Sequence, residues 1–114
     1  MSKYDLEERT LKFAKDVRTL IRKLPMSMAN KEDGKQLIRS SGSVGANYRE
    51  ANESLSKKDF LVRIKICRKE ASESRYWLSL IDAKDNRNMI KEIDELMDEC
   101  LQLQKIFGSI VTKQ

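Results

Sequence analysis

Apolar residues recur along this chain at alternating spacings of four and three. One run is Leu6, Phe13, Val17, Leu20 and Leu24, with Thr10 in the remaining position. Another is Phe60, Ile64, Cys67, Ala71, Ser74, Leu78 and Ile81. A third is Met89, Ile93, Leu96, Cys100, Leu103, Phe107 and Ile110, widened by Ile90, Met97, Leu101, Ile106 and Val111. This rhythm places one apolar seam on each of three helices. Between the first two lies a less regular helical stretch, with apolar positions Leu37, Ile38, Val44, Tyr48 and Ala51. Gly34, Gly42, Gly45 and several serines lower its helix propensity. Its small residues Ser41, Gly42, Gly45 and Ala46 let another backbone approach closely.

The ends of these segments carry their own signals. Asp5, followed by Glu8, reads as the N-cap of a helix running to about Leu24, where Pro25 stops it. Met26 to Ala29 form a connection. Asn30 with Asp33 caps a second helix to about Ser54, with Gly34 a point where it can break. Ser56-Lys57-Lys58-Asp59 has the form of a capping box opening the third helix, and the chain turns again around Asp85-Asn86. The expected fold is all-α: an antiparallel up-down-up-down four-helix bundle, one domain over residues 1–114. Its expected core contains Phe13, Val17, Leu20, Phe60, Ile64, Cys67, Leu78, Ile93, Leu96, Cys100 and Phe107.

Composition narrows the chemistry. Charged residues make up 36% of the chain, with one Pro and four Gly, which suits long helices and excludes a β-sandwich. No apolar run is long enough to span a membrane, and Met1-Ser2-Lys3-Tyr4-Asp5 has no apolar signal region, so a cytoplasmic protein with no membrane partner is expected. The absence of His removes the commonest general base and the usual ligands of di-iron bundles. Cys67 and Cys100 fall on apolar stripes, where buried reduced thiols are expected rather than a metal site. No cofactor and no catalytic residue is expected. The net charge of +5 is compatible with a nucleic-acid partner.

On the third helix, Val62, Ile66, Trp77 and Leu80 lie off the core seam, with Glu73 among them. This second strip reads as an oligomer interface. The competing reading is that Trp77 caps the bundle edge. Arg68 and Arg75 lie on the other flank, and Lys58, Lys65 and Lys69 face outward with Tyr76. Singly these are solvated cations. Together they can track a phosphate backbone, with Tyr76 stacking on a base.

Glu50-x-x-Glu53 and Glu70-x-x-Glu73 place two carboxylate pairs on neighbouring helices. Four carboxylates can hold Mg²⁺, and the spacing resembles that of all-helical nucleoside triphosphate pyrophosphohydrolases. A salt-bridge network with Arg49, Arg68 and Arg75 is the simpler expectation. Glu92 and Glu95 read as solvated surface.

Ser43-Val44-x-Ala46-Asn47-Tyr48-x-Glu50, then Ser56-Lys57-Lys58-Asp59-Phe60, then Glu70-Ala71-x-Glu73-Ser74-x-Tyr76-Trp77-Leu78, resemble the bacterial four-helix-bundle proteins of 23S rRNA intervening sequences, also called S23 ribosomal-protein-like. The resemblance runs from about Leu6 to Phe107. It implies a homopentameric ring of bundles and structural roles for Asn47, Glu50 and Glu73. A related branch, the accessory protein of diversity-generating retroelements, implies a reverse transcriptase and nucleic acid as partners. Asn47 and Glu50, one turn apart on a helix crowded with small residues, are expected to bond across helices to Arg or Lys side chains and exposed main-chain groups. Three readings follow. The first is a non-enzymatic homo-oligomer that binds nucleic acid, RNA above all, or a ribonucleoprotein. The others are a Mg²⁺-dependent nucleotide pyrophosphohydrolase using Glu50, Glu53, Glu70 and Glu73, and a protein-interaction scaffold.

Overall fold

Ser2, not Asp5, caps the first helix. The structure, a computed structural model, describes residues 2–113. The Ser2 hydroxyl accepts from the Asp5 amide at 3.2 Å, and the Asp5 carboxylate accepts from the Ser2 amide at 3.1 Å. Asp5 is thus the third-residue partner of a capping box that starts three residues earlier than expected. Helix α1 spans Lys3–Lys23. Helix α2 spans Met28–Asn52 and is capped by Ser27, whose hydroxyl accepts from the Asn30 amide at 3.1 Å. Helix α3 spans Lys57–Leu80, with Ser56 as the expected cap. Helix α4 spans Arg87–Lys113, and Asn86 accepts from the Met89 amide at its start. Lys84 and Asp85 adopt left-handed backbone, φ 52° and 63°, to turn the chain between α3 and α4. Among the described residues all regular structure is helical, in agreement with the all-α class.

The seams meet in one core. Val17, Leu37, Val44, Ile64, Cys67, Leu78, Cys100, Leu103 and Phe107 are fully buried in it. Phe60 is the exception to the expected list: it sits in the first turn of α3, at the end of the bundle, and is only half-buried.

Helix α2 owes its composition to two close neighbours. Toward α1 it presents glycines. A Cβ on Gly34 would lie 3.3 Å from Ile21 Cδ1, and one on Gly45 only 3.0 Å from Thr10 Oγ1 and 3.2 Å from Thr10 Cβ. The helix therefore does not break at Gly34, which is a notch for Ile21 instead. Toward α3 it presents serine. The buried hydroxyls of Ser40 and Ser74 share a hydrogen bond of 2.8 Å, and Ser74 also donates to the Glu70 carbonyl at 2.9 Å.

Asn30, expected as a cap, is buried and acts as a latch between two loops. Its amide nitrogen donates to the carbonyls of Pro25 at 2.9 Å and Asp82 at 2.8 Å, and its oxygen accepts from the Asp82 amide at 2.9 Å. All of these bonds go to backbone groups of the two loops.

Two outcomes test this packing. Asn30→Ala should destabilise the protein by about 2–3 kcal/mol in urea denaturation, because it strands backbone groups on both loops. Gly45→Ala should be destabilising by about 1 kcal/mol or more, although alanine is the better helix former. Thr10 cannot yield: it is buried, and its hydroxyl already donates to the Leu6 and Glu7 carbonyls. At Gly42 the added methyl would meet only the flexible end of Arg18, at 3.3 Å. Gly42→Ala should therefore be neutral or stabilising in the same assay.

Candidate nucleic-acid interface

Helix α3 holds seven Lys or Arg against three Asp or Glu, a net +4 within a chain of net +5. Two of those three carboxylates are engaged from α2. Arg39 reaches Glu70 at 3.4 Å and Glu73 at 3.1 Å, and Glu70 is buried beneath it. Lys58, Lys65, Arg68, Lys69 and Arg75 are all exposed, and among the described residues none of them forms an ion pair. Tyr76, 58% exposed, sits beside them with its ring edge-on to Trp77 at 5.1 Å. The outer surface of α3 thus combines uncompensated cations with an accessible aromatic ring.

The polar motif is partly as expected. Asn47 accepts from Arg63 across the α2–α3 boundary at 3.1 Å and donates to the Ser43 carbonyl at 2.9 Å. Glu73 is held by Arg39. Glu50 differs: it is exposed, and its carboxylate has no bonding partner among the described residues. At its level α3 offers its first turns, so Glu50 lines an open hollow of about 490 Å³ with Glu53, Asp59, Val62, Arg63 and Ile66.

The expected ion-pair partners also change. Arg49 pairs with Glu7 of α1 at 3.5 Å, and Arg39, not Arg49, Arg68 or Arg75, holds the glutamates of α3. The two Glu-x-x-Glu pairs do not converge. Arg39, which carries Glu70 and Glu73, lies about three turns before Glu50 on α2, roughly 16 Å at 1.5 Å per residue. No cluster able to hold a metal ion exists among the described residues. Glu92, read as solvated surface, pairs with Lys23 at 2.6 Å.

The second strip is half accessible. Val62 and Leu80 are 49% and 43% exposed, while Ile66 and Trp77 are half-buried, with Trp77 packed against the core margin. Sequence reasoning missed a further hollow of about 550 Å³ between α1 and α4. Phe13 and Leu96 line it, and ion pairs from Arg9 to Glu99 and Lys23 to Glu92 cross it. Among the described residues no helix is long and apolar enough to cross a membrane. Cys67 and Cys100 are buried, and burial pushes both thiols up to about 12.

The chain belongs to the 23S rRNA-intervening sequence protein family, which matches residues 2–109. Among solved structures it is similar to a protein of unknown function of the S23 ribosomal protein family from Bacteroides thetaiotaomicron. The two are 28% identical with a TM-score of 0.80, over 98% of this chain and 99% of the other. No curated protein matches it.

The site geometry sets two expectations. In thermal denaturation Asn47→Ala should cost about 1 kcal/mol, since exposed Arg63 can turn to water, and Glu50→Ala should lie within about 0.5 kcal/mol of wild type. Both thiols should resist alkylation in the native protein and react after unfolding. Their folded pKa values exceed the usual 9, so the unfolded chain ionises first. Their contribution to stability should be intact below about pH 9 and decline as pH rises from there toward 12.

Proposed function

We propose that this chain is a non-enzymatic, RNA-binding component of the bacterial cytoplasm. In this reading its unit is an antiparallel up-down-up-down bundle. The units associate through Val62, Ile66, Trp77 and Leu80 into a homo-oligomeric ring, a pentamer. The observation that carries the reading is the charge separation between α2 and α3. Arg39 holds Glu70 and Glu73 on the α2 side, and Lys58, Lys65, Arg68, Lys69 and Arg75 remain exposed without carboxylate partners. Such a surface attracts a phosphate backbone, and the five cations carry no base-specific code. The family's name, which refers to intervening sequences of 23S rRNA, points the same way. The dispersed glutamates disfavour the hydrolase reading. A protein partner such as a reverse transcriptase fits the same reading when it brings nucleic acid with it.

Ring closure matters because one bundle offers few contacts. Repeating the surface around a symmetry axis multiplies them on a single strand. Fluorescence anisotropy with a structured RNA should show affinity falling steeply between about 50 and about 200 mM salt. Five phosphate contacts per bundle correspond to a log–log slope of about −3.5 on a single strand and about −4.5 on a duplex. Light scattering should give a multiple of the chain mass that Trp77→Ala shifts toward monomer. That substitution should weaken RNA binding more than loss of any one Lys. Absence of binding by the assembled protein at low salt would overturn the RNA reading, and a monomeric wild type at high micromolar concentration would overturn the ring.

A further inference from the structure

Helix α1 carries cations of its own, seven Lys or Arg against four Asp or Glu. Three of the four carboxylates are engaged. Asp5 sits in the capping box, Glu7 is held from α2 by Arg49 at 3.5 Å and Asn52 at 2.8 Å, and Asp16 pairs with Lys12 at 2.6 Å. Glu8, the fourth, lies about two turns before Lys15. Arg9 and Lys23 turn to α4. Lys15, Arg18 and Arg22 remain, at spacings of three and four that put them on one face. Among the described residues none of the three forms an ion pair.

Packing against α2 fixes where this face lies. The Arg18 guanidinium folds over the α1–α2 boundary: Nη1 donates to the Ala14 carbonyl at 3.1 Å and Nη2 to the Ile38 carbonyl at 3.4 Å. It can lie there because Gly42 has no side chain, and a Cβ would be 3.3 Å from Nη2. A guanidinium has five N–H donors, so Arg18 keeps others uncommitted. One turn further on, Ile21 rests in the Gly34 notch. Arg22, beside Ile21, and Lys31, which shares the face of Gly34, therefore flank the same boundary. Lys31 is exposed and pairs with no carboxylate among the described residues, while its neighbour Lys35 is shared with Glu32 at 3.5 Å.

This face is remote from the cations of α3. Helices α1 and α3 each pack on α2 and α4, and they do not touch each other. They are diagonal in the bundle, so their outer surfaces look in opposite directions. The Cα atoms span 22 × 20 Å across the long axis, and a short backbone segment cannot lie on both surfaces.

We propose that Lys15, Arg18 and Arg22 of α1, with Lys31 of α2, form a second nucleic-acid face, so that one bundle holds two RNA segments on opposite sides. The inference rests on the RNA reading and deepens it. The lysines supply point charges that track a phosphodiester backbone, and the Arg18 fork, held over α2, is a fixed donor along that track. A folded RNA that presents two strands then engages both faces of one bundle and gains avidity from the second.

Equilibrium dialysis of the full chain tests this with an RNA oligonucleotide of about six nucleotides, a single-site length. At low salt, uptake should approach two RNAs per chain. Lys15→Gln/Arg22→Gln/Lys31→Gln should take up close to one, and so should Lys65→Gln/Arg68→Gln/Arg75→Gln. All six side chains are exposed, so thermal midpoints should stay near wild type. In the α3 variant, Gly42→Ala should weaken the remaining binding by about threefold, because it displaces the Arg18 guanidinium. Uptake of one RNA that only the α3 substitutions abolish would overturn the second face and leave the RNA reading standing. Uptake of one RNA that only the α1–α2 substitutions abolish would overturn the two-sided bundle. A fall in assembly mass by light scattering in the α1–α2 variant would assign that face to a second copy of the chain and overturn the inference. No uptake at all would overturn both the inference and the RNA reading.

Discussion

Close approach of α2 to its neighbours on two sides is the constraint from which the rest of this structure follows. Helices with ordinary side chains at their contacts pack 8–10 Å apart. Here the residues at contact are glycines on the α1 side and serines on the α3 side. Both choices weaken α2 as an isolated helix. The loss is offset because each small residue admits a specific partner. Gly34 receives Ile21, Gly45 receives Thr10, and Ser40 meets Ser74. Buried hydroxyls brought this near must bond, and the Ser40–Ser74 pair does so without a water between them. One register of α2 against α3 is then preferred, since a slip of one residue would break the hydroxyl pair.

That register also shapes the surface. It brings Arg39 over Glu70 and Glu73, and Asn47 against Arg63. Glu70 and Glu73 of α3 are thereby held on the α2 side, while Lys58, Lys65, Arg68, Lys69 and Arg75 stay exposed. The count of +4 for α3 becomes +5 once Arg39, which pairs with two of its three acidic groups, is included. The packing rule and the electrostatic surface have one origin.

The parts of this arrangement visible in the sequence were those set by periodicity. The four-and-three seams placed Val17, Ile64, Cys67, Leu78, Cys100 and Phe107 in the core, where they lie. The Ser56 cap was equally plain, because a capping box is local. Three departures from the sequence pattern share a cause, since each involves a partner far along the chain. Asn30 looked like a cap because Asp82, its partner, is fifty-two residues away. Glu70 and Glu73 were assigned to the wrong arginines because the α2–α3 register decides that Arg39 faces them. Gly34 looked like a break because propensity is blind to Ile21.

The side of the bundle opposite α2's contacts shows the complementary effect. If α1 and α3 are both drawn in toward α2, the helices cannot all close equally, and the remaining gap falls between α1 and α4. That is where the larger hollow lies. Short apolar residues cannot bridge it, and long charged ones do. Arg9 donates to both Glu99 oxygens at 2.8 and 2.7 Å and to Gln102 at 2.8 Å, while Lys23 reaches Glu92 at 2.6 Å. A bidentate guanidinium–carboxylate pair is directional enough to set a helix separation that dispersion would leave loose. Glu92 and Glu99 of α4 are thereby turned to α1. The small residues of α2 thus influence charge at the far side of the molecule. They open the seam that Glu92 and Glu99 of α4 fill.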